Sequence, residues 1–95
     1  MNFTKTKEHD FTRCFLGYPT IKITEQQMQE MFGCHTISID EDDKGYTGYW
    51  QFEAENGERI SIGFRYSVAR FSGWNATLIE SFDKFLSRQY ASWYL

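Results

Sequence analysis

Tyr46-Thr47-Gly48-Tyr49-Trp50-Gln51-Phe52-Glu53-Ala54, then Glu55-Asn56-Gly57, then Glu58-Arg59-Ile60-Ser61-Ile62-Gly63-Phe64-Arg65-Tyr66 is the stretch that decides the fold. Tyr46, Gly48, Trp50, Phe52 and Ala54 alternate with Thr47, Tyr49, Gln51 and Glu53; Ile60, Ile62, Phe64 and Tyr66 alternate with Arg59, Ser61, Gly63 and Arg65. A period of two with one apolar side predicts two half-buried strands. The turn fixes how they pair. A two-residue Asn56-Gly57 turn would set Phe52 opposite Ser61 and split the apolar residues between the two faces, which a one-sided sheet forbids. A three-residue loop, Glu55-Asn56-Gly57, closes with Gly57 in the left-handed region and pairs Phe52 with Ile60 and Trp50 with Ile62. It also places Glu53 opposite Arg59, a favourable cross-strand pair.

Upstream, Ile37 and Ile39 alternate with Thr36, Ser38 and Asp40, which predicts a third strand. The three make an antiparallel meander with one wet face, the face that carries Tyr49. A helix precedes it. Thr24-Glu25-Gln26-Gln27 reads as a capping box, with Ile23 and Met28 as the hydrophobic staple, Met28, Met31 and Phe32 as the buried stripe and Gly33 as the stop. A longer helix follows, where Leu78, Ile79, Phe82, Phe85, Leu86, Tyr90 and Trp93 recur at helical spacing and Asn75 supplies a cap. Phe11 to Leu16 reads as an edge strand, with Gly17-Tyr18-Pro19 turning the chain. The expectation is therefore one α+β domain over residues 1–95. It has an N-terminal extended segment, then α-β-β-β-α, with both helices on the apolar face of a three-stranded meander in a two-layer sandwich. Trp50, Phe52, Ile60, Ile62, Phe64, Leu78, Phe82, Phe85 and Leu86 form the expected core.

The 95 residues are 41% hydrophobic and 24% charged, ordinary for a globular domain and foreign to collagen-like or low-complexity chains. The aromatic share is high, at 19%. No apolar run reaches the roughly 18 residues of a membrane span. The first residues carry no secretory pattern, so a cytoplasmic protein is expected. In that compartment Cys14 and Cys34 are expected as free, buried thiols.

The net charge of −3 conceals a strong polarity. Residues 1–24 sum to +2 and residues 59–95 to +3, while residues 25–58 hold nine carboxylates against Lys44 alone, a net −8. Asp40-Glu41-Asp42-Asp43-Lys44-Gly45 partly matches a calcium loop, but Lys44 and Gln51 stand where ligands belong. The predicted strands on either side favour a solvated turn. His9, Cys14, Cys34 and His35 lack the close pair spacing of a zinc site. No phosphate-binding glycine loop, nucleophile elbow or metalloprotease motif occurs. The expectation is a non-enzymatic protein without metal or cofactor.

The α-β-β-β-α order is similar to that of the double-stranded-RNA-binding domain. That resemblance stops at element order, because Trp74-Asn75-Ala76-Thr77-Leu78 holds no lysine cluster where the last helix begins. Arg59, Arg65, Arg70 and Arg88 could still form a basic patch, which keeps nucleic-acid binding as the alternative function.

In size, acidity and absence of motifs the chain is similar to small inhibitors of nucleic-acid-handling machinery, such as the anti-CRISPR and anti-restriction proteins of phage and toxin-immunity proteins. The reading is a protein-binding module that docks an acidic hairpin surface on a basic protein partner, with no membrane partner and nucleic acid kept only as the alternative. Asp40, Glu41, Asp42, Asp43, Glu53 and Glu55 supply the charge. Tyr49 and the terminal Tyr90, Trp93 and Tyr94 supply aromatic contact area, and the latter three are also a homodimer surface.

Overall fold

A computed structural model describes residues 1–7, 15–38 and 45–95. The decisive hairpin forms in the expected register. Strands β4 (Tyr46–Ala54) and β5 (Arg59–Arg65) pair Trp50 with Ile62, Phe52 with Ile60 and Glu53 with Arg59. Gly57 closes the loop at φ +87°, its N–H donating to the Ala54 carbonyl at 2.9 Å.

The sheet is larger than the three-stranded meander expected. Among the described residues it has six strands: β1 (Phe3–Lys5), β2 (Phe15–Gly17), β3 (Ile37–Ser38), β4, β5 and β6 (Val68–Gly73). Their order is β1-β4-β5-β6-β2, and every pairing is antiparallel. The strand β3 shares the outer edge of β4 with β1, pairing Ile37 with Tyr49 while β1 pairs Phe3 with Ala54. At the junction of the two, the Thr6 N–H still donates to the Gln51 carbonyl at 2.8 Å, and a side-chain relay supplements the ladder. The Gln51 N–H donates to Thr36 Oγ1 at 2.9 Å, and Thr36 Oγ1 donates to the Thr6 carbonyl at 3.0 Å. The element order thus departs from α-β-β-β-α, and with it goes the topological likeness to the RNA-binding domain.

The strand β6 gives a weak sequence signal for two reasons. Its inward residues are Ala69, Phe71 and Gly73, of which only Phe71 is large. It is joined to β5 by Tyr66 and Ser67, at φ 49° and 69°. Two consecutive left-handed residues define a type I′ turn, normally the place of Asn-Gly. Tyr66 is consequently exposed at the turn and does not continue the apolar face of β5. A bulge between Tyr46 and Tyr49 likewise breaks the alternation in β4. Tyr46 shifts from the expected core side to the side of Tyr49, and the two rings stack at 5.2 Å.

Both helices lie on one face, as expected. Helix α1 (Glu25–Phe32) starts at a full capping box: the Gln27 N–H donates to Thr24 Oγ1 at 3.1 Å, and the Thr24 N–H donates to Gln27 Oε1 at 3.0 Å. Helix α2 (Ala76–Tyr94) starts at Asn75, whose Oδ1 accepts from the Leu78 N–H at 2.8 Å. Between helices and sheet, all nine expected core residues are buried, joined by Phe3, Ile23, Met28, Ala54, Ala69 and Phe71. The opposite face is not uniformly wet: Gln51 and Ser61, paired across β4 and β5, are buried too. Among the described residues no helix is long and apolar enough to cross a membrane.

Candidate interaction surface

The acidic residues fall into two groups. Asp40, Glu41, Asp42 and Asp43 lie outside the described residues. The other carboxylates of the acidic segment are mostly engaged within the fold. Glu25 accepts from Thr47 Oγ1 at 3.0 Å and lies 3.4 Å from His35 Nε2. Glu30 accepts from the Tyr94 hydroxyl, and from Gln26 Nε2 at 3.4 Å. Glu55, at the hairpin tip, accepts from the Asn2 N–H. Glu58 accepts from Asn56 Nδ2 and Asn75 Nδ2 at 2.6 and 2.8 Å, tying the hairpin to the cap of α2. Glu53 stands between Thr4 and Arg59 in a row across the sheet.

The arginines divide differently. Cross-strand pairing puts Arg59, Arg65 and Arg70 on the sheet face away from the helices, with Tyr46 and Tyr49. Arg70 Nη1 donates to the Tyr46 hydroxyl at 3.1 Å, and its guanidinium lies 5.7 Å from the Tyr18 ring centroid. Gly63 sits beneath the tyrosine pair, where a Cβ would come within 2.6 Å of the Tyr49 ring. Arg65 lies over the Tyr66 ring at 5.6 Å. Arg88 is not part of this group; it projects from α2, where it donates to the Met1 carbonyl at 3.5 Å.

The C-terminal aromatics also separate. Tyr90 packs against the core and against Tyr94, at 5.0 Å between rings. Tyr94 docks on α1 through Glu30, and its phenol is pushed up to about 12, first by that hydrogen bond and then by burial and the Glu30 charge. Trp93 alone of the three is exposed.

Among the described residues no group of three or more His, Cys, Asp or Glu could hold a metal ion. Cys34 is a free thiol and is exposed, contrary to the buried position expected, because it follows the Gly33 cap of α1. His35 is placed on the Trp50 ring at 4.0 Å and over Gly48, where any Cβ would collide with it. Cys14 and His9 lie outside the described residues.

One surface went unread in the sequence. Phe15, Leu16, Tyr18 and Val68 are 47%, 65%, 59% and 54% exposed along the β2–β6 side of the sheet. Beside them a groove of about 370 Å³ is lined mainly by Tyr18, Pro19, Ile21, Ile23, Val68 and Ala69. Exposed apolar residues gathered in one place mark interaction sites far more than scattered ones do. Their spacing along the chain carried no signal, because Val68 and Tyr18 come to line one groove only through the pairing of β2 with β6. No family model, curated protein or solved structure matches the chain.

Proposed function

We propose that this chain is a protein-binding module of the inhibitor type, which uses Asp40, Glu41, Asp42 and Asp43 to dock on the basic surface of a nucleic-acid-handling partner. The observation that carries the reading is the internal engagement of Glu25, Glu30, Glu55 and Glu58. Carboxylates held against the fold are less free to reach a partner directly, though each keeps its charge. The densest run of acids in the sequence is residues 40–43, between β3 and β4 in chain order. Acidic groups on a loop can occupy a groove built for phosphates, and their field accelerates encounter.

A biosensor coated with a cationic peptide such as protamine tests this. The parent chain should bind, with an on-rate that falls as salt rises. Asp40→Asn, Asp42→Asn and Asp43→Asn together should slow association and flatten the salt dependence while leaving stability within about 0.5 kcal/mol. Wild-type kinetics for that triple variant across the salt series would remove the acidic loop as the docking site.

A second reading has its own observation. Arg59, Arg65 and Arg70 share one sheet face with the Tyr46–Tyr49 stack. Arginines with aromatic rings are the means by which sheet surfaces bind single strands. Binding of a single-stranded oligonucleotide that falls steeply with salt, and is lost in Arg65→Ala, would favour this function over the first.

A further inference from the structure

We propose that β2 is a self-association edge, through which two copies of this chain pair antiparallel about a two-fold axis at Leu16. The sheet ends in two different ways. Along β4, the outer edge is shared by β1 and β3 and carries Lys5, whose ammonium donates to the Cys34 carbonyl. At the other side the last strand is β2, and among the described residues no strand lies beyond it. Edges are normally protected by charge, proline or a covering element, because their free N–H and C=O groups are a template for another strand. Phe15-Leu16-Gly17-Tyr18 carries no charge, and proline enters only at position 19.

The strand is also complementary to itself. Antiparallel pairing centred on Leu16 sets Leu16 opposite Leu16 of the second copy, on the face away from the helices. On the helix face it sets Phe15 opposite Gly17 of the second copy, in both directions, as an isologous contact requires. Gly17 is closely covered by α2, since a Cβ there would lie 2.6 Å from Ile79 Cγ2. An incoming Phe15 ring would thus meet bare backbone and the Ile79 side chain, with no competing side chain at position 17. On α2, Asp83 is turned towards the chain that follows β2, its Oδ1 accepting from the Thr20 N–H at 2.9 Å. Phe15, Leu16 and Tyr18 leave on the order of 100 Å² each in water, about 300 Å² per copy, which is well under half of what a standard interface buries per partner. An interface of that size belongs to the weak, reversible class.

Sedimentation velocity of the full chain over a micromolar concentration series should show a monomer–dimer equilibrium. Leu16→Lys should shift it to monomer with unchanged circular dichroism and melting temperature, because Leu16 is mostly exposed. The register has its own test in a Cys14→Ser, Cys34→Ser background. Leu16→Cys should oxidise to a covalent dimer, since directly opposed residues lie about 4.5–5.5 Å apart at Cα, within disulfide reach. Phe15→Cys, opposed to Gly17, should not. A chain that stays monomeric throughout overturns the proposal. So does a dimer that survives Leu16→Lys, for instance one lost in Trp93→Ser, or equal cross-linking at positions 15 and 16.

Discussion

Tyr94 shows how much a single side chain can report about the joining of two helices. Its hydroxyl bridges from the last turn of α2 to Glu30 of α1, and it is the neutral phenol that donates. Ionisation would put a phenolate beside a carboxylate, so its pKa rises from the ordinary 10.0 to about 12 in the folded chain. A group raised on folding contributes its stabilisation fully below its unfolded value. That contribution is present below pH 10.0 and is lost as pH climbs towards about 12. In a spectrophotometric titration of the six tyrosines, the Tyr94 step should come late. Glu30→Gln should return it towards 10.0. A titration curve that is the same in parent and Glu30→Gln would show that the two side chains do not meet in solution.

At the scale of elements, the two hairpins of the β4-β5-β6 meander contrast. The β4–β5 loop has glycine at its left-handed position, Gly57, with open space around it. Gly57→Ala should therefore cost only the conformational penalty, about 1–2 kcal/mol. The β5–β6 turn asks the same of Tyr66 and Ser67, neither of which is suited to it. Ser67→Gly should relieve a similar strain, and after the extra freedom of glycine in the unfolded chain is subtracted it should stabilise by about 0.5–1 kcal/mol. Urea midpoints should move in opposite directions for the two variants, with unchanged slopes. The same contrast explains what could be read from the sequence. Where turn chemistry and alternation agree, as in residues 46–65, the register of β4 on β5 is legible to the residue from Trp50 to Arg59. Where they disagree, it is not. Tyr66-Ser67 conceals β6, the bulge after Tyr46 moves that ring to the other face, and β1 has one apolar residue in three. The helices were legible because Thr24 and Asn75 mark their starts. The acidic segment was visible as composition, but the engagement of Glu30 and Glu58 depends on Tyr94 and Asn75, distant in sequence. The edge position of β2 was legible in the run Phe11 to Leu16, of which Phe15 and Leu16 belong to the last described strand, but its pairing with β6 is a tertiary fact that the residues of β2 do not encode.

Across the whole molecule, the packing converges on Phe82. Its ring meets Phe3 of β1 at 5.1 Å, Phe52 of β4 at 5.1 Å, Phe71 of β6 at 5.1 Å and Phe85 of α2 at 5.9 Å. The contacts with Phe3 and Phe71 are edge-on, the arrangement aromatic quadrupoles prefer. Those partners span the sheet from β1 at one side to β6, next to the other, so one side chain of α2 joins β1 and β4 to β6, with which neither shares hydrogen bonds. The surrounding rings are fixed by their own strands and cannot collapse into the space a deletion would leave. Phe82→Ala should therefore fall at the costly end of core truncations, about 3–5 kcal/mol. Against the roughly 5–15 kcal/mol that a small domain has in total, this brings the fold near its limit. With each kcal/mol shifting the midpoint of a domain of this size by about 4–8 °C, the melting temperature should drop by some tens of degrees. Phe85→Ala gives the comparison, since Phe85 also touches Phe3 and Phe52 but has no described ring contact with Phe71. If Phe82 joins the two sides of the sheet, its truncation should cost more than that of Phe85 and should broaden the thermal transition. Equal losses for the two variants, with equally sharp transitions, would show that the aromatic core is redundant and that Phe82 is one contact among many.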